Sequence, residues 1–262
     1  MTRLLLARQF FLTIPRPQRA VYMLIAGWML AMIFVPILRW IFGDAIIPAA
    51  ITFALLVQFS VVFAALATKW GLSRIGAVFA IVAVMTWGVE FIGSKTNFPF
   101  GSYDYTPLLQ PQLGGVPLLI PLAWFMMLPA AWTIAHLTVG AKNPIAYIGI
   151  SALAMTAWDL FLDPQMVAWG FWEWQEYGAY FGIPLMNYFG WLLTSAVITA
   201  VIRPYRWEMP RWEMWIIYAV VWFLQSVGLA VFWGMAGPAF FGCISMGAFL
   251  IWSWKGLGKH EH

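Results

Sequence analysis

The chain has 262 residues, of which 63% are hydrophobic and 9% are charged, whereas about 25% of the residues of a soluble globular domain are charged. This composition excludes a soluble domain and predicts an integral membrane protein. The only cysteine, Cys243, excludes a disulfide framework and a thiolate metal cage, and the three histidines are too few for a histidine-rich di-iron centre. The formal net charge of +4 is informative through the positions of the charges along the chain.

Residues 1–19 are predicted to lie along the membrane surface. They carry four arginines around an apolar run, Phe10-Phe11-Leu12, which is too short to span a bilayer and is followed by Pro15 and Pro17. No small-residue cleavage site follows this run, so a cleaved signal peptide is not expected.

A membrane-spanning helix needs about 20 mostly apolar residues, and eight stretches meet this criterion. They are approximately 20–38, 45–67, 73–94, 116–138, 143–163, 184–202, 213–233 and 237–254. Since the last two are joined only by the tight turn 234–238, a count of eight requires that this hairpin crosses the membrane fully. The predicted fold is an all-α polytopic transmembrane helix bundle, and residues 1–262 are expected to form a single integral membrane domain.

The basic residues predict how the spans are oriented. With the N-terminus in the cytoplasm, all of the 14 Lys and Arg residues except Arg39 and Lys95 fall on the cytoplasmic side, which is the bias that the positive-inside rule describes. We therefore expect cytoplasmic N- and C-termini in a multi-pass protein of the cell membrane. The long loops 95–115 and 164–183 are expected on the opposite side.

Both long loops are rich in aromatic residues, Gly and Pro rather than in Ser and charge, which is typical of packed and often functional loops. The first contains Phe100-Gly101-Ser102-Tyr103-Asp104-Tyr105, and the second contains Trp172-Glu173-Trp174. Interfacial anchoring accounts for most of the 18 Trp. Two tyrosines that flank an aspartate, and alternating tryptophans, are better explained as walls of a pocket.

Two acids four residues apart, Asp159 and Asp163, lie on one face of the fifth predicted span. One interpretation places Asp163, which precedes Pro164, at a solvated helix end. Asp159 lies one turn deeper, where desolvation favours the protonated carboxyl that a general acid needs. A third interpretation is the Asp-x-x-x-Asp site for magnesium and diphosphate of membrane prenyltransferases, but the second Asp- or Asn-rich motif that such a site requires is missing from the sequence.

Glu90 lies near the end of the third predicted span and shares a helix face with Trp87 and Ser94. One interpretation pairs it with Lys95, although a separation of five residues does not place two side chains on one face. The other directs Glu90 into an aromatic-lined pocket, because an ionisable residue inside a span is by default a functional candidate. Asn187, one turn inside the sixth predicted span, is a further polar candidate.

The order of these residues resembles the membrane-bound carotenoid biosynthesis family, which includes the carotenoid 1′,2′-hydratases of bacteria and the bisanhydrobacterioruberin hydratases of archaea. The resemblance rests on Glu90-x-x-Gly93, Phe100-Gly101-x-Tyr103-x-Tyr105, Pro117, Trp124, Asp159-Leu160-x-x-Asp163-Pro164 and Tyr180-Phe181-Gly182-x-Pro184-x-x-Asn187-x-x-Gly190-Trp191. It covers about residues 87–191, the central part of the chain.

The resemblance implies a carotenoid 1,2-hydratase, which adds water to the terminal double bond of an acyclic carotenoid end group and gives a tertiary alcohol. Such a reaction needs an acid, a site that tolerates a tertiary cation, and a positioned water. It implies no cofactor and no metal, and the sequence has no dinucleotide- or phosphate-binding motif. The expected partners are an apolar carotenoid from the bilayer, water, membrane lipids and other carotenoid enzymes, but not nucleic acid; the oligomeric state is left open.

The candidate site residues follow from the positions of the polar and aromatic residues and from the family resemblance. The expected catalytic residues are Asp159, Glu90, Asp104, Tyr103 and Asn187, with Asp159 preferred as the proton donor. The expected substrate-binding residues are Trp87, Lys95, Tyr105, Trp124, Trp158, Asp163, Trp172, Trp174, Tyr180 and Trp191. Asp159→Asn is expected to abolish hydration nearly completely, and Asp163→Asn is expected to be milder.

Two functions of other classes are the alternatives. A small-molecule transporter would explain acids inside the membrane, but the acids gather at one side of the bilayer and no inverted repeat is evident. A membrane prenyltransferase acting on isoprenoid diphosphates would depend on magnesium and would need basic residues on the outer side, where only Arg39 and Lys95 are found.

Overall fold

The computed structural model describes residues 15–258, and within them eight long helices form an all-α bundle. They are α1 (Arg16–Phe42), α2 (Ile47–Ala67), α3 (Leu72–Thr96), α4 (Leu119–Val139), α5 (Pro144–Ala168), α6 (Leu185–Ile202), α7 (Arg211–Val227) and α8 (Ala236–Leu257). A π-helical turn, Gly228–Phe232, extends α7. All eight are long and apolar enough to cross a membrane, including the last hairpin. The predicted polytopic bundle of about eight spans is therefore confirmed.

The first helix begins earlier than the sequence predicted. The predicted surface segment covered residues 1–19, but α1 already begins at Arg16. Residues 1–14 of that segment lie outside the described residues. Pro17 lies in the first turn of α1, where a proline is tolerated because its missing N–H has no partner within the helix anyway.

Helix α5 continues past the proline that was expected to stop it. The prediction ended this helix at Asp163, yet α5 runs through Pro164 to Ala168. A proline inside a helix leaves the carbonyl four residues earlier without its N–H donor, and here that carbonyl belongs to Leu160. The Tyr180 hydroxyl donates a hydrogen bond to the Leu160 carbonyl oxygen at 3.1 Å. A residue from the following loop thus supplies the donor that Pro164 lacks, and the helix continues.

The two long loops lie at the same end of the bundle, which we call the long-loop end, and they pair with each other. Strand β1 (Tyr103–Tyr105), from the first loop, runs antiparallel to β4 (Trp172–Trp174), from the second. Within the first loop, β2 (Gln112–Leu113) pairs with β3 (Val116–Pro117). Because side chains alternate along a strand, the aromatic residues of β1 and β4 turn inward and the acid in the middle of each strand is exposed.

Helix α4 lies at the centre of the bundle. Most of its residues are buried, whereas α1, α2 and α3 bury a third or less of their most apolar stretch. The outward side chains of these peripheral helices are themselves apolar, for example Val84, which is 71% exposed. This is the pattern expected of helices that face lipid rather than water.

We predict that the long-loop end faces away from the cytoplasm, because the basic residues concentrate at the opposite end. In a Cys243→Ser background, Tyr177→Cys lies in the second loop and Ile145→Cys lies at the other end of α5; the native side chains are 92% and 84% exposed. A membrane-impermeant maleimide added to intact cells is expected to label Tyr177→Cys at once and Ile145→Cys only after permeabilisation. The reverse order of labelling would overturn this orientation.

Candidate active site

The centre of the candidate site is one amide that joins two carboxyls. Asn187 Nδ2, on α6, donates hydrogen bonds to Asp159 Oδ2 at 2.7 Å and to Asp163 Oδ2 at 2.6 Å, both on α5. All three side chains are at most 3% exposed. The four-residue spacing places both aspartates on the side of α5 that faces α6. The interpretation of Asp163 as a solvated helix end is therefore wrong, since the helix continues and the carboxyl is buried.

The two aspartates differ in their remaining contacts. Asp163 Oδ1 accepts hydrogen bonds from Trp172 Nε1 at 2.5 Å and from Trp174 Nε1 at 3.4 Å. Both indoles come from β4, where the spacing of two residues directs them to the same side. Asp159 Oδ1, in contrast, is buried and has no hydrogen-bond partner among the described residues. Asp163 thus has three donors and Asp159 has one.

Glu90, on α3, is held in the same way by the first loop. The hydroxyls of Tyr103 and Tyr105 both donate to Glu90 Oε2, the second at 2.9 Å. Burial, followed by the neighbouring carboxyl, raises the pKa of each tyrosine well above its usual value. Both hydroxyls therefore keep their protons and remain donors. The interpretation that pairs Glu90 with Lys95 is wrong, because the Lys95 side chain is exposed at the end of the helix.

Two glycines, each one helical turn after a site residue, allow an aromatic ring to pack against the site. Gly93 follows Glu90 on α3, and Gly190 follows Asn187 on α6. A Cβ atom at Gly93 would lie 3.2 Å from the Phe100 ring, and a Cβ at Gly190 would lie 2.4 Å from it. The buried Phe100 ring thus packs closely against both helices, and at Gly190 it leaves no room for a side chain.

These side chains enclose a pocket of about 40 Å³, which is room for two or three water molecules. Its polar lining comes from Glu90, Asp163 and Asn187. Its aromatic walls are Phe100, Tyr103, Tyr105, Trp124, Trp172, Trp174 and Trp191. Trp124 and Trp191 stack with their ring centroids 4.3 Å apart. Two carboxyls from different helices therefore face one small aromatic pocket.

A much larger apolar cavity, of about 530 Å³, adjoins this pocket. Four residues line both spaces: Ile120, Ala123, Leu162 and Trp172. Part of the cavity wall is exposed on the outer surface of the bundle, at Ile33 of α1 (44% exposed) and Phe223 of α7 (54% exposed). The cavity therefore opens sideways between α1 and α7, toward the lipid. A long apolar molecule can enter there and bring one end to the polar pocket.

The structure brings together most of the predicted site residues. Those that line the pocket are Glu90, Tyr103, Tyr105, Trp124, Asp163, Trp172, Trp174, Asn187 and Trp191. Asp159 is not part of this lining and contacts the site through the Asn187 amide. Trp158 lines the large cavity and makes an edge contact with Trp191.

Four predicted site residues lie elsewhere. Asp104, in the middle of β1, is exposed and accepts a hydrogen bond from Gln175, because strand alternation turns it away from its two tyrosine neighbours. Lys95 is exposed, and Trp87 stacks on Phe91 and donates to the Leu113 carbonyl oxygen at 3.1 Å. The hydroxyl of Tyr180 donates a hydrogen bond to the Leu160 carbonyl oxygen, which lacks a backbone donor because residue 164 is a proline.

Sequence reasoning missed the wall of the large cavity. Phe100 was part of a motif but was not assigned to the site, and none of the cavity residues on α1, α2 and α7 was named. The available signal was a set of glutamines, Gln58, Gln165 and Gln225, inside otherwise apolar spans. Within residues 15–258, no group of three or more His, Cys, Asp and Glu side chains is placed to hold a metal ion.

The family to which the chain belongs follows from a comparison with known protein families. The family described as "Carotenoid biosynthesis protein" matches residues 49–249, most of the chain. The chain belongs to the carotenoid biosynthesis protein family. The resemblance inferred from the sequence motifs is confirmed, and the pocket described above lies within the matched region.

A relative of this carotenoid biosynthesis protein is the bisanhydrobacterioruberin hydratase of Haloarcula japonica. The two are 34% identical over 128 residues, which is 47% of this chain and 43% of the relative. The chain thus matches less than half of the length of that relative. No solved structure matches the chain.

We predict that Gly190→Ala destabilises the protein and that Gly149→Ala does not. Both glycines are helical, but a Cβ at Gly190 would lie 2.4 Å from the Phe100 ring and 2.9 Å from the Pro99 carbonyl oxygen, whereas a Cβ at Gly149 meets nothing within 4 Å. Overpacking of this kind costs about 1–3 kcal/mol. Thermal unfolding of the solubilised protein should show a lower Tm for Gly190→Ala only. Equal Tm values would contradict the packing of Phe100 described above.

Proposed function

We propose that this protein is a carotenoid 1,2-hydratase, which adds water to the terminal double bond of an acyclic carotenoid end group and yields a tertiary alcohol without a cofactor. The observation that carries the proposal is the small pocket with two carboxyls at the end of an apolar cavity that opens toward lipid. The family and the hydratase relative support the same class of reaction. We further propose that the protein acts in the cell membrane.

The large cavity is the proposed binding site for the polyene chain. A carotenoid is dissolved in the bilayer, and the opening between α1 and α7 receives it without passage through water. The cavity wall is mostly apolar, as is typical of sites that bind an extended apolar molecule. The shared wall of Ile120, Ala123 and Leu162 leads the chain end to the carboxyls.

The proton comes from the Asp159–Asp163 pair in this proposal. Because both carboxyls are buried and bond to the same amide nitrogen, two negative charges would lie close together there, and in this proposal the pair carries one proton. Asp163 lines the pocket and delivers the proton to the less substituted alkene carbon. Asp159, which has a single hydrogen-bond donor, contributes through the shared proton. The sequence favoured Asp159 alone as the proton donor, whereas we propose that Asp159 and Asp163 act together.

Protonation leaves a tertiary cation on the neighbouring, dimethyl-substituted carbon. The faces of Trp124, Trp191 and the other pocket aromatics stabilise this cation without forming a bond to it. A water molecule adds to the cation and Glu90 accepts the proton that this water loses. Tyr103 and Tyr105 stabilise Glu90 as a carboxylate. Return of that proton through the pocket to the aspartate pair completes the cycle, and the net change is the addition of one water.

The two alternatives receive no support from the site. A prenyltransferase must bind a diphosphate, which needs cationic side chains or a metal. No Lys or Arg is among the residues that line the pocket or the large cavity. A transporter needs a path through the bundle, whereas these acids are joined to one another at one end of it.

Membranes that contain the protein are expected to convert a lycopene-type acyclic carotenoid into a product heavier by the mass of one water, as detected by mass spectrometry. Asp163→Asn, Asp159→Asn and Glu90→Gln should each lower the rate by about 10²–10⁴-fold, the usual loss when a general acid or base is removed. The matched control is Glu173→Gln, whose exposed carboxylate lies between Trp172 and Trp174 on β4.

Two outcomes of this assay would contradict the proposal at different points. Absence of the hydrated product from wild-type membranes supplied with acyclic carotenoids would refute the hydratase function. Near-normal turnover by a correctly folded Asp163→Asn variant would refute the aspartate pair as the acid and transfer that role to Glu90. An effect of Glu173→Gln as large as that of the pocket variants would show that the assay reports folding rather than chemistry.

A further inference from the structure

Four polar side chains in the large cavity are not used by the proposed chemistry. They are Trp28 of α1, Gln58 of α2, Gln165 of α5 and Gln225 of α7. None of them is more than 9% exposed. They come from four different helices, and the rest of the wall is aliphatic or aromatic and includes five further tryptophans. Of these four, only Trp28 has a fully buried polar atom without a partner. The glutamines line the cavity, where a purely apolar ligand would leave their amides without partners, and that is costly.

The hydrogen-bonding groups of these four residues are largely unsatisfied by the described part of the chain. Trp28 Nε1 is buried and has no acceptor. The side chains of Gln165 and Gln225 make no hydrogen bond to another described residue. Gln58 Nε2 contacts only the Met127 sulfur, at 3.4 Å, and a thioether is a weak acceptor. Leucine would fill similar space without this cost, so the amides point to an occupant that bonds to them.

The four groups are spread along the depth of the cavity. With a rise of about 1.5 Å per residue, Gln165 lies about 5 Å from the long-loop end of its helix, Gln225 about 10 Å, Gln58 about 16 Å and Trp28 about 21 Å. A chain whose end reaches the polar pocket and which leaves between α1 and α7 therefore passes several of them. Gln225, Gln58 and Trp28 are placed to contact the body of such a chain, whereas Gln165, two residues after Asp163, lies at the depth of the reacting end.

We propose that Gln58, Gln225 and Trp28 determine specificity by binding an oxygen function on the isoprenoid chain, so that the preferred substrate already carries a hydroxyl or carbonyl group away from the reacting double bond. This inference rests on the proposed hydratase function and narrows its substrate class. An amide both donates and accepts, and an indole N–H donates, so together they suit either oxygen group. A charged group would find no counter-ion among the described residues that line the cavity.

The test compares two acyclic polyenes of equal length, one a hydrocarbon and the other its counterpart with a single hydroxyl at the non-reacting end. Binding to the full solubilised chain is followed by quenching of tryptophan fluorescence. The wild type is expected to bind the hydroxylated polyene about tenfold more tightly, as one or two additional hydrogen bonds allow. Gln58→Leu and Gln225→Leu should each reduce this difference and leave the affinity for the hydrocarbon unchanged or higher.

Met32→Leu is the matched control, since Met32 lines the same cavity with an apolar side chain and its replacement should preserve the preference. Equal binding of the two polyenes by the wild type, or binding of neither, would refute the inference; equal binding would indicate that only water occupies the amides. The wild-type comparison decides this point even when a variant fails to fold.

Hydration of the same two polyenes, measured in parallel, separates this inference from the proposed function. Preferential binding of the hydroxylated polyene without hydration of either would contradict the hydratase and support the selectivity. Hydration of both polyenes with equal affinities would support the hydratase and contradict the selectivity.

Discussion

The hydrogen bonds from Asn187 to Asp159 and Asp163 are the interaction on which the rest of the site depends. Buried carboxyls are costly unless they are paired and hydrogen-bonded, and the amide provides this for both acids while it joins α5 to α6. The other oxygen of Asp163 then holds the indoles of β4. Strand β4 pairs with β1, and it therefore also positions Tyr103 and Tyr105 of β1, which donate hydrogen bonds to Glu90. One connected network thus fixes three helices and both long loops.

The network also suits the proposed reaction with water inside a membrane protein. The polar groups are gathered in a pocket that holds only a few water molecules, while the adjoining cavity is apolar and open toward lipid. The polyene and the water therefore approach the reacting carbon from different surroundings. In the proposed reaction the aromatic walls of the pocket stabilise positive charge without supplying a nucleophile, so that water is the group that adds to the cation.

Much of this arrangement could be predicted from the sequence, and the exceptions have physical causes. Hydropathy was sufficient for the eight spans, and polar residues near the ends of spans, among them Glu90, Asp159 and Asn187, indicated a common site. The buried state of Asp163 was missed because the bond that sustains the helix past Pro164 comes from Tyr180, in the next loop. Asp104 was wrongly assigned to the site because no strand was predicted at residues 103–105. In β1 the alternation of side chains turns Asp104 outward, away from its two tyrosine neighbours. The large cavity depends on how α1 packs against α7, which no local pattern encodes.

The most direct measurement of the central claim is the origin of the atoms that the product gains. Membranes with the wild-type protein would be supplied with an acyclic carotenoid, once in water labelled with heavy oxygen and once in deuterium oxide. The account predicts that the new tertiary hydroxyl carries the heavy oxygen and that the adjacent carbon gains one deuterium that does not exchange. An unlabelled hydroxyl oxygen, or an adjacent carbon without deuterium, would contradict acid-catalysed hydration at this site.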